Sequence, residues 1–398
     1  MNQTHFSVNF ENTQIAFRLK ENKALRRANW LFGLLSFPIL VRFGNAFMNW
    51  AMRWHLPITP LVRITVFDHF CCGETLNDCI PVLNKLNEVG VKSVLDYSIE
   101  GKEMESQFDQ ARDTLLELIT FSSNNPCTPL VVFKPTAFGR LDLFVKKGMD
   151  VVMTQAERAE WDRVVGRFDS VCKAASAQRL PVLIDAEESW MQDAADDLVL
   201  EMMRTYNKEV ALVFNTAQLY RTDRLDYLKL LFQQAELEKF HVGIKLVRGA
   251  YMEKERARAA EFGYTSPICE SKKATDENFD EAVRFVLSHL NRMSLYLGTH
   301  NEESNMLAVN TLRNSHIPPS DSRVWFGQLY GMSDHITFNL GAAGYNATKY
   351  MPFGPIKEVM PYLSRRATEN TSVSGQTGRE LSLIRQELKR RKSSRESY

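Results

Sequence analysis

The chain has 398 residues, 44% of them apolar, with 49 basic and 48 acidic side chains and a formal net charge of +1. That is the length of one large catalytic domain or two smaller ones, with the balance of an ordinary globular protein. No global field recruits nucleic acid, so any charge-driven function has to be local.

The first residues, to Gln14, carry Glu11 and show neither an Arg-rich amphipathic pattern nor a signal-type apolar core. The expectation is a protein without a signal or transit segment, placed in the cytoplasm. Residues 15–56 repeat apolar positions at helical spacing. Within them the run Trp30–Val41 contains Pro38 and lies between Arg27 and Arg42. At about a dozen residues it is shorter than the roughly 20 needed to span a bilayer, and reads as packed helix.

After Pro57 and Pro60, short β-branched runs alternate with long amphipathic stretches. The expected strands are Val62–Phe67, Ser93–Tyr97, Leu130–Lys134, Val182–Asp185, Ala211–Asn215, Gly243–Val247, Ser294–Gly298 and Val324–Gln328. Strand followed by helix, repeated over roughly 310 residues, predicts an α/β fold of the (βα)8 TIM-barrel type rather than an open doubly wound sheet. The division expected is an N-terminal helical segment over 1–60, the barrel over 61–380 and a basic tail over 381–398. The tail carries Lys389, Arg390, Arg391, Lys392 and Arg395. It reads as a solvated helix end, with weak contact to an anionic membrane surface as the second reading.

Six cysteines, at 71, 72, 79, 127, 172 and 269, form no CxxC pair and read as scattered buried thiols of a reducing compartment. A metal site at Cys71, Cys72 and Cys79 lacks histidines at ligand spacing. Neither GxGxxG nor GxxxxGK[ST] occurs, so no Rossmann or P-loop nucleotide site is indicated.

In a barrel the active groups gather at the C-terminal ends of strands. Those positions here hold Lys134, Asp185, Glu187, Gln218, Tyr220, Arg248, Thr299, His300, Asn301 and Gln328, a set too rich in large polar groups for simple caps. Tyr362, Arg365, Arg366 and Glu369 follow i, i+3, i+4, i+7 and share a helix face. Paired guanidinium groups suit bidentate capture of a carboxylate or phosphate; a solvent-facing Arg/Glu helix is the plainer alternative. Lys245 and Arg248, ahead of the small residues Gly249 and Ala250, can neutralise a phosphate near a helix N-terminus. His300 reads equally as a satisfied structural histidine. From these residues alone the chain is a barrel enzyme with an anion-gripping Arg pair.

The segments IDAEE (184–188), KLVRGAY (245–251), THN (299–301), GQLYGM (327–332) and YLSRRATEN (362–370) resemble the motif series of the proline dehydrogenase family, in the family's order. The resemblance covers about residues 65–375 and is nearer to the stand-alone, eukaryotic-like members. It implies a distorted (βα)8 barrel with a C-terminal helix over the active site and FAD held non-covalently at the strand ends. It further implies oxidation of L-proline to Δ1-pyrroline-5-carboxylate, with electrons passed to a membrane quinone. Position by position, Arg365 and Arg366 resemble the pair that grips the proline carboxylate, Lys134 assists, and Asp185 orients Lys134. Leu329, Tyr350 and Tyr362 resemble the wall around the ring, with Ala250 close to flavin and substrate. Asp185, Gln218, Lys245, Val247, Arg248, Gly249, Thr299, His300, Asn301 and Glu369 match FAD positions. Glu74 resembles an acid that pairs with the first arginine and gates the site. Lys245 and Met252 stand where many bifunctional members have Arg and Trp. Tyr350 implies proline over hydroxyproline, since hydroxyproline-using relatives carry a smaller residue there. A hydroxyproline enzyme and a non-catalytic barrel scaffold are the alternatives.

Overall fold

The computed structural model describes residues 8–35, 54, 59–97, 103–372 and 376–396. Eight strands occur in the order β1 to β8 around a closed barrel. They are β1 Val91–Tyr97, β2 Leu130–Phe133, β3 Val182–Ile184, β4 Val213–Gln218, β5 Val242–Val247, β6 Met293–Gly298, β7 Val324–Leu329 and β8 Ala347–Phe353. The strands are parallel, and helices alternate with them along the chain, as the (βα)8 reading expects. The apolar runs of β2 and β3 are buried at every residue, as strands covered on both faces require.

Two of the expected strand positions need correction. Val62–Phe67 is not a strand: Thr59–Val62, Arg63–Phe67 and Asp68–Phe70 are successive helical turns, the middle one a π-helix. The burial pattern there is helical, with Val62, Phe67 and Phe70 buried while Arg63 and Asp68 face out. Packing of that face overrides the β-propensity of the Ile-Thr-Val run. The true eighth strand, β8, was not anticipated, because its sequence ATKYMPF holds a lysine and a proline. Both argue against a central strand on sequence grounds, yet all seven residues are buried. Each remaining expected strand is therefore one place earlier in the barrel, and Val324–Gln328 is β7.

Chain contacts form two compact units, residues Met1–Val91, Tyr97–Glu100 and Gln328–Tyr398 in one, and Lys92–Asp96 with Gly101–Gly327 in the other. The core of the first gathers Phe17, Phe32, Phe67, Phe70, Val359, Leu363, Leu383 and Ile384. Residues 376–396, expected in part as a basic tail, are one helix as far as Glu396. Glu387 on it is fully buried and bound by Arg390, Arg391 and the Thr13 hydroxyl. Arg391 also donates to the carbonyls of Phe17 and Lys20, clamping the N-terminal segment. That segment is helical over Asn22–Leu35; the rest of the apolar run to Val41 lies outside the described residues. No helix of the described residues is long and apolar enough to cross a membrane. All six cysteines are buried thiols, none in a disulfide.

Candidate active site

In the unit built on β2 to β6, polar groups meet at the strand ends. Beyond β2, Lys134 precedes a short 3-10 turn, and Thr136 there gives both its N–H (2.9 Å) and its hydroxyl (2.7 Å) to the Glu187 carboxylate. Burial pushes Glu187 up to about 7, against the Thr136 hydrogen bonds and the charge of Lys134, which draw it down. The Glu187 carbonyl accepts from Gln218 Nε2 at 2.7 Å, and Gln218 Oε1 accepts the Ala250 N–H at 3.2 Å. A continuous hydrogen-bonded belt thus links the ends of β2, β3, β4 and β5. Asp185, expected to orient Lys134, is ion-paired with Lys245 of β5 at 2.6 Å. Val247 ends β5, half-buried.

Arg248 is held on three sides. Its Nε donates to Asp276 at 2.7 Å, its terminal nitrogens donate to the Thr299 and Ser304 hydroxyls at 2.8 and 3.0 Å, and its plane lies over Phe279. Burial raises Asp276, but the bonds from Lys272 and Arg248 win and hold its carboxyl below the usual range. Two guanidinium N–H groups remain beyond these three bonds, since the group has five. Asn301 caps the helix Glu302–Asn314, accepting the Ser304 N–H at 2.9 Å, with half-buried His300 before it. Gly249 has φ +140°, and a Cβ placed there would sit 2.5 Å from the Tyr220 ring. The backbone at 249–250 therefore stays bare and exposed beside two cationic groups.

In the other unit, the helix Ile356–Ser372 follows β8. Tyr362 and Arg366 are buried on it, with the Arg366 guanidinium 5.1 Å from the Tyr362 ring centre and Arg365 half-buried alongside. This face is not a solvated Arg/Glu surface. Tyr350 of β8 is buried, and its carbonyl accepts the Tyr330 N–H at 2.9 Å, just after Leu329 of β7. Glu74 pairs with Arg63 and accepts the Ile356 N–H at 3.2 Å, so it caps the start of the arginine helix. The Glu369 side chain lies outside the described residues.

Several contributors were not foreseen: Asp276 and Ser304 behind Arg248, Thr136 beneath Glu187, Arg63 on Glu74, and the buried Lys349–Asp334 pair after β7. Ser304 carried a signal, being three residues after an N-cap asparagine. The others carried none, because their partners are 11 to 51 positions away, beyond any local pattern.

Polar and cationic groups collected at the carboxyl ends of parallel strands are where βα-barrel enzymes carry their active sites. The sequence model of the family described as Proline dehydrogenase matches residues 79–379. The chain belongs to the proline dehydrogenase family, and it is an oxidoreductase. It is 36% identical over 321 residues to the carbapenem antibiotics biosynthesis protein CarD of Pectobacterium carotovorum subsp. carotovorum, covering 80% of this chain and 82% of that one. To proline dehydrogenase 1, mitochondrial, of Homo sapiens it is 42% identical over 241 residues, 60% of this chain and 40% of the human protein. A hydroxyproline dehydrogenase of Xenopus laevis is 30% identical over 422 aligned positions, 94% of this chain and 88% of the relative. Among solved structures, proline utilization A from Bdellovibrio bacteriovorus, inactivated by N-propargylglycine, matches with TM-score 0.68 at 18% identity. The match covers 92% of this chain and 37% of that one; at that identity it bears on the fold alone.

Proposed function

We propose that this protein oxidises L-proline to Δ1-pyrroline-5-carboxylate with bound FAD as the hydride acceptor. The observation that carries the reading is the buried Arg366 stacked on Tyr362, with Arg365 beside it, on the helix after β8. A guanidinium is kept buried at a loss of hydration, which a bidentate carboxylate repays far better than solvent does.

The strand ends of β3 to β6 fit a dinucleotide cofactor. Lys245 and Arg248 offer positive charge, Gly249 leaves the backbone bare, and Thr299, His300 and Asn301 lead into a helix N-terminus. With Asp185, Gln218, Val247 and Ala250, and Glu369 from the arginine helix, these residues would hold FAD. When bound, FAD supplies the two-electron acceptor that no side chain provides. The chain's own part is positional. Arg365 and Arg366 grip the carboxylate, and Lys134 adds a second cation. Leu329, Tyr350 and Tyr362 exclude water around the ring. Asp185, ion-paired with Lys245, orients Lys134, and the fixed geometry of Arg248 gives a preorganised donor set. Electrons would leave to a membrane quinone, and a protein on the cytoplasmic side would need only peripheral contact with that membrane. The exposed Lys389 and Lys392 are suited to an anionic surface.

The hydroxyproline dehydrogenase relative favours a second reading, hydroxyproline as substrate; Tyr350, retained at the ring wall, favours proline. The deciding experiment is the visible spectrum of the purified chain, titrated without oxygen with proline or with hydroxyproline. A flavin band near about 450 nm that bleaches at lower proline than hydroxyproline concentration is expected. Arg366→Met should keep the band but need about 30-fold or more proline to bleach it. A colourless protein, or a band indifferent to proline, overturns the reading.

A further inference from the structure

The turn from β7 into the helix Asp334–Ala342 is backbone-strained and held by buried charge. Gly331 has φ +80° and Ser333, not a glycine, has φ +50°. A Cβ on Gly331 would fall 2.2 Å from the His69 carbonyl oxygen. Such a turn persists only if its surroundings over-determine it. Here they do. Lys349 Nζ donates to the Met332 carbonyl at 2.5 Å, stands 3.5 Å from the Leu329 carbonyl and pairs with Asp334 at 2.8 Å. Lys20, from the N-terminal segment, pairs with the other Asp334 oxygen at 2.6 Å. Glu380, on the C-terminal helix, accepts the Ser333 N–H at 3.1 Å, and His69 Nε2 meets the Gly331 carbonyl at 2.9 Å.

Buried ion clusters seldom stabilise more than apolar packing of equal volume. What apolar side chains lack is direction. The Lys349 ammonium fixes the carbonyls of Leu329 and Met332. Neighbouring residues on a strand point to opposite faces, so fixing Lys349 also fixes the height of Tyr350, whose carbonyl holds Tyr330.

We propose that the Lys20–Asp334–Lys349 cluster positions the substrate-ring wall, so that Lys349 and, through Asp334, Lys20 decide how closely Leu329 and Tyr350 fit an unsubstituted five-membered ring amino acid. The proposal rests on the assignment of Leu329 and Tyr350 to the wall under Proposed function. Lys349 and Lys20 are positioning residues; neither touches substrate.

The test is steady-state kinetics on L-proline and trans-4-hydroxy-L-proline for the wild type, Lys349→Met, Lys20→Met and Lys20→Arg, with flavin content measured on each. Both methionine variants should raise KM for proline about tenfold, keep kcat within about twofold, and narrow the preference for proline over its hydroxylated analogue. Lys20→Arg should restore the wild-type values with its flavin content unchanged. Lys20 is partly exposed, so if Lys349→Met does not fold, Lys20→Met decides. Unchanged KM and preference in Lys20→Met overturn the proposal, as does a parallel loss of kcat and flavin, which marks a merely structural role. A wild type that oxidises neither compound fails the functional reading itself, and this proposal with it.

Discussion

Glu187 shows how one carboxyl can be structural and electrostatically costly at once. Its folded value of about 7 lies above the ordinary 4.5, with burial as the leading cause. A raised carboxyl binds its proton more tightly folded than unfolded, so its penalty grows as pH rises from about 4.5 to about 7 and is constant above. Glu187→Gln keeps an acceptor for the Thr136 N–H and removes the charge. The variant should therefore melt at or above the wild-type temperature at pH 8, with the difference vanishing towards pH 4.5 on a thermal denaturation series. A variant less stable at every pH would show that the Thr136 bonds need the ionised group.

At the scale of elements, the strand ends were legible where chemistry sits on the strand's own last residues. Arg248, Thr299 and Asn301 follow β5 and β6 directly, at the place where barrel geometry predicts polar groups. What failed was identity of elements whose packing contradicts local propensity. The helical turn at 63–67 reads as a strand from its β-branched residues, and β8 gives no strand signal because Lys349 and Pro352 interrupt it. Lys349 is tolerated in a fully buried strand only because Asp334 and the Met332 carbonyl await it, and neither is visible from local sequence. The Asp185–Lys245 pair was missed for the same reason, its members being 60 positions apart. One loop position can be tested directly. Gly249→Ala would strain a φ of +140° and drive a methyl into the Tyr220 ring. The expected result is loss of most bound flavin, read as the ratio of visible to ultraviolet absorbance, with the circular dichroism of the barrel retained. Full flavin content in that variant would remove the 249–250 backbone from the cofactor site.

At the scale of the whole molecule, acid should loosen the charged contacts that tie the N-terminal segment to the C-terminal helix and to Asp334. Burial would raise Glu387, but the bonds from Arg390, Arg391 and Thr13 prevail and bring it down to about 2. Asp334 is likewise held low, its burial outweighed by Lys20 and Lys349. Depressed carboxyls contribute stability that is present above their unfolded values and lost as pH falls through the folded ones. Stability should thus decline from about pH 4.5 towards about pH 2. Glu387→Gln should lower the melting temperature at pH 7 and have a diminishing effect towards pH 2. An effect that does not shrink in acid would assign the loss to packing rather than to charge.

The clamp between Thr13 and Glu387 joins residues 374 positions apart. During synthesis Thr13 and Lys20 meet Glu387 and Asp334 only after residues 334–387 have been made. Residues 92–96 and 103–327, which belong to one compact unit, can collapse while the chain is still growing. The helix Ile356–Ser372 and β8, by contrast, belong to a unit with contacts of high sequence separation, which close late because the intervening loop entropy must be overcome first. The strand ends of β2 to β6 are therefore in place before β8 and the helix Ile356–Ser372, and the Thr13–Glu387 clamp closes after both.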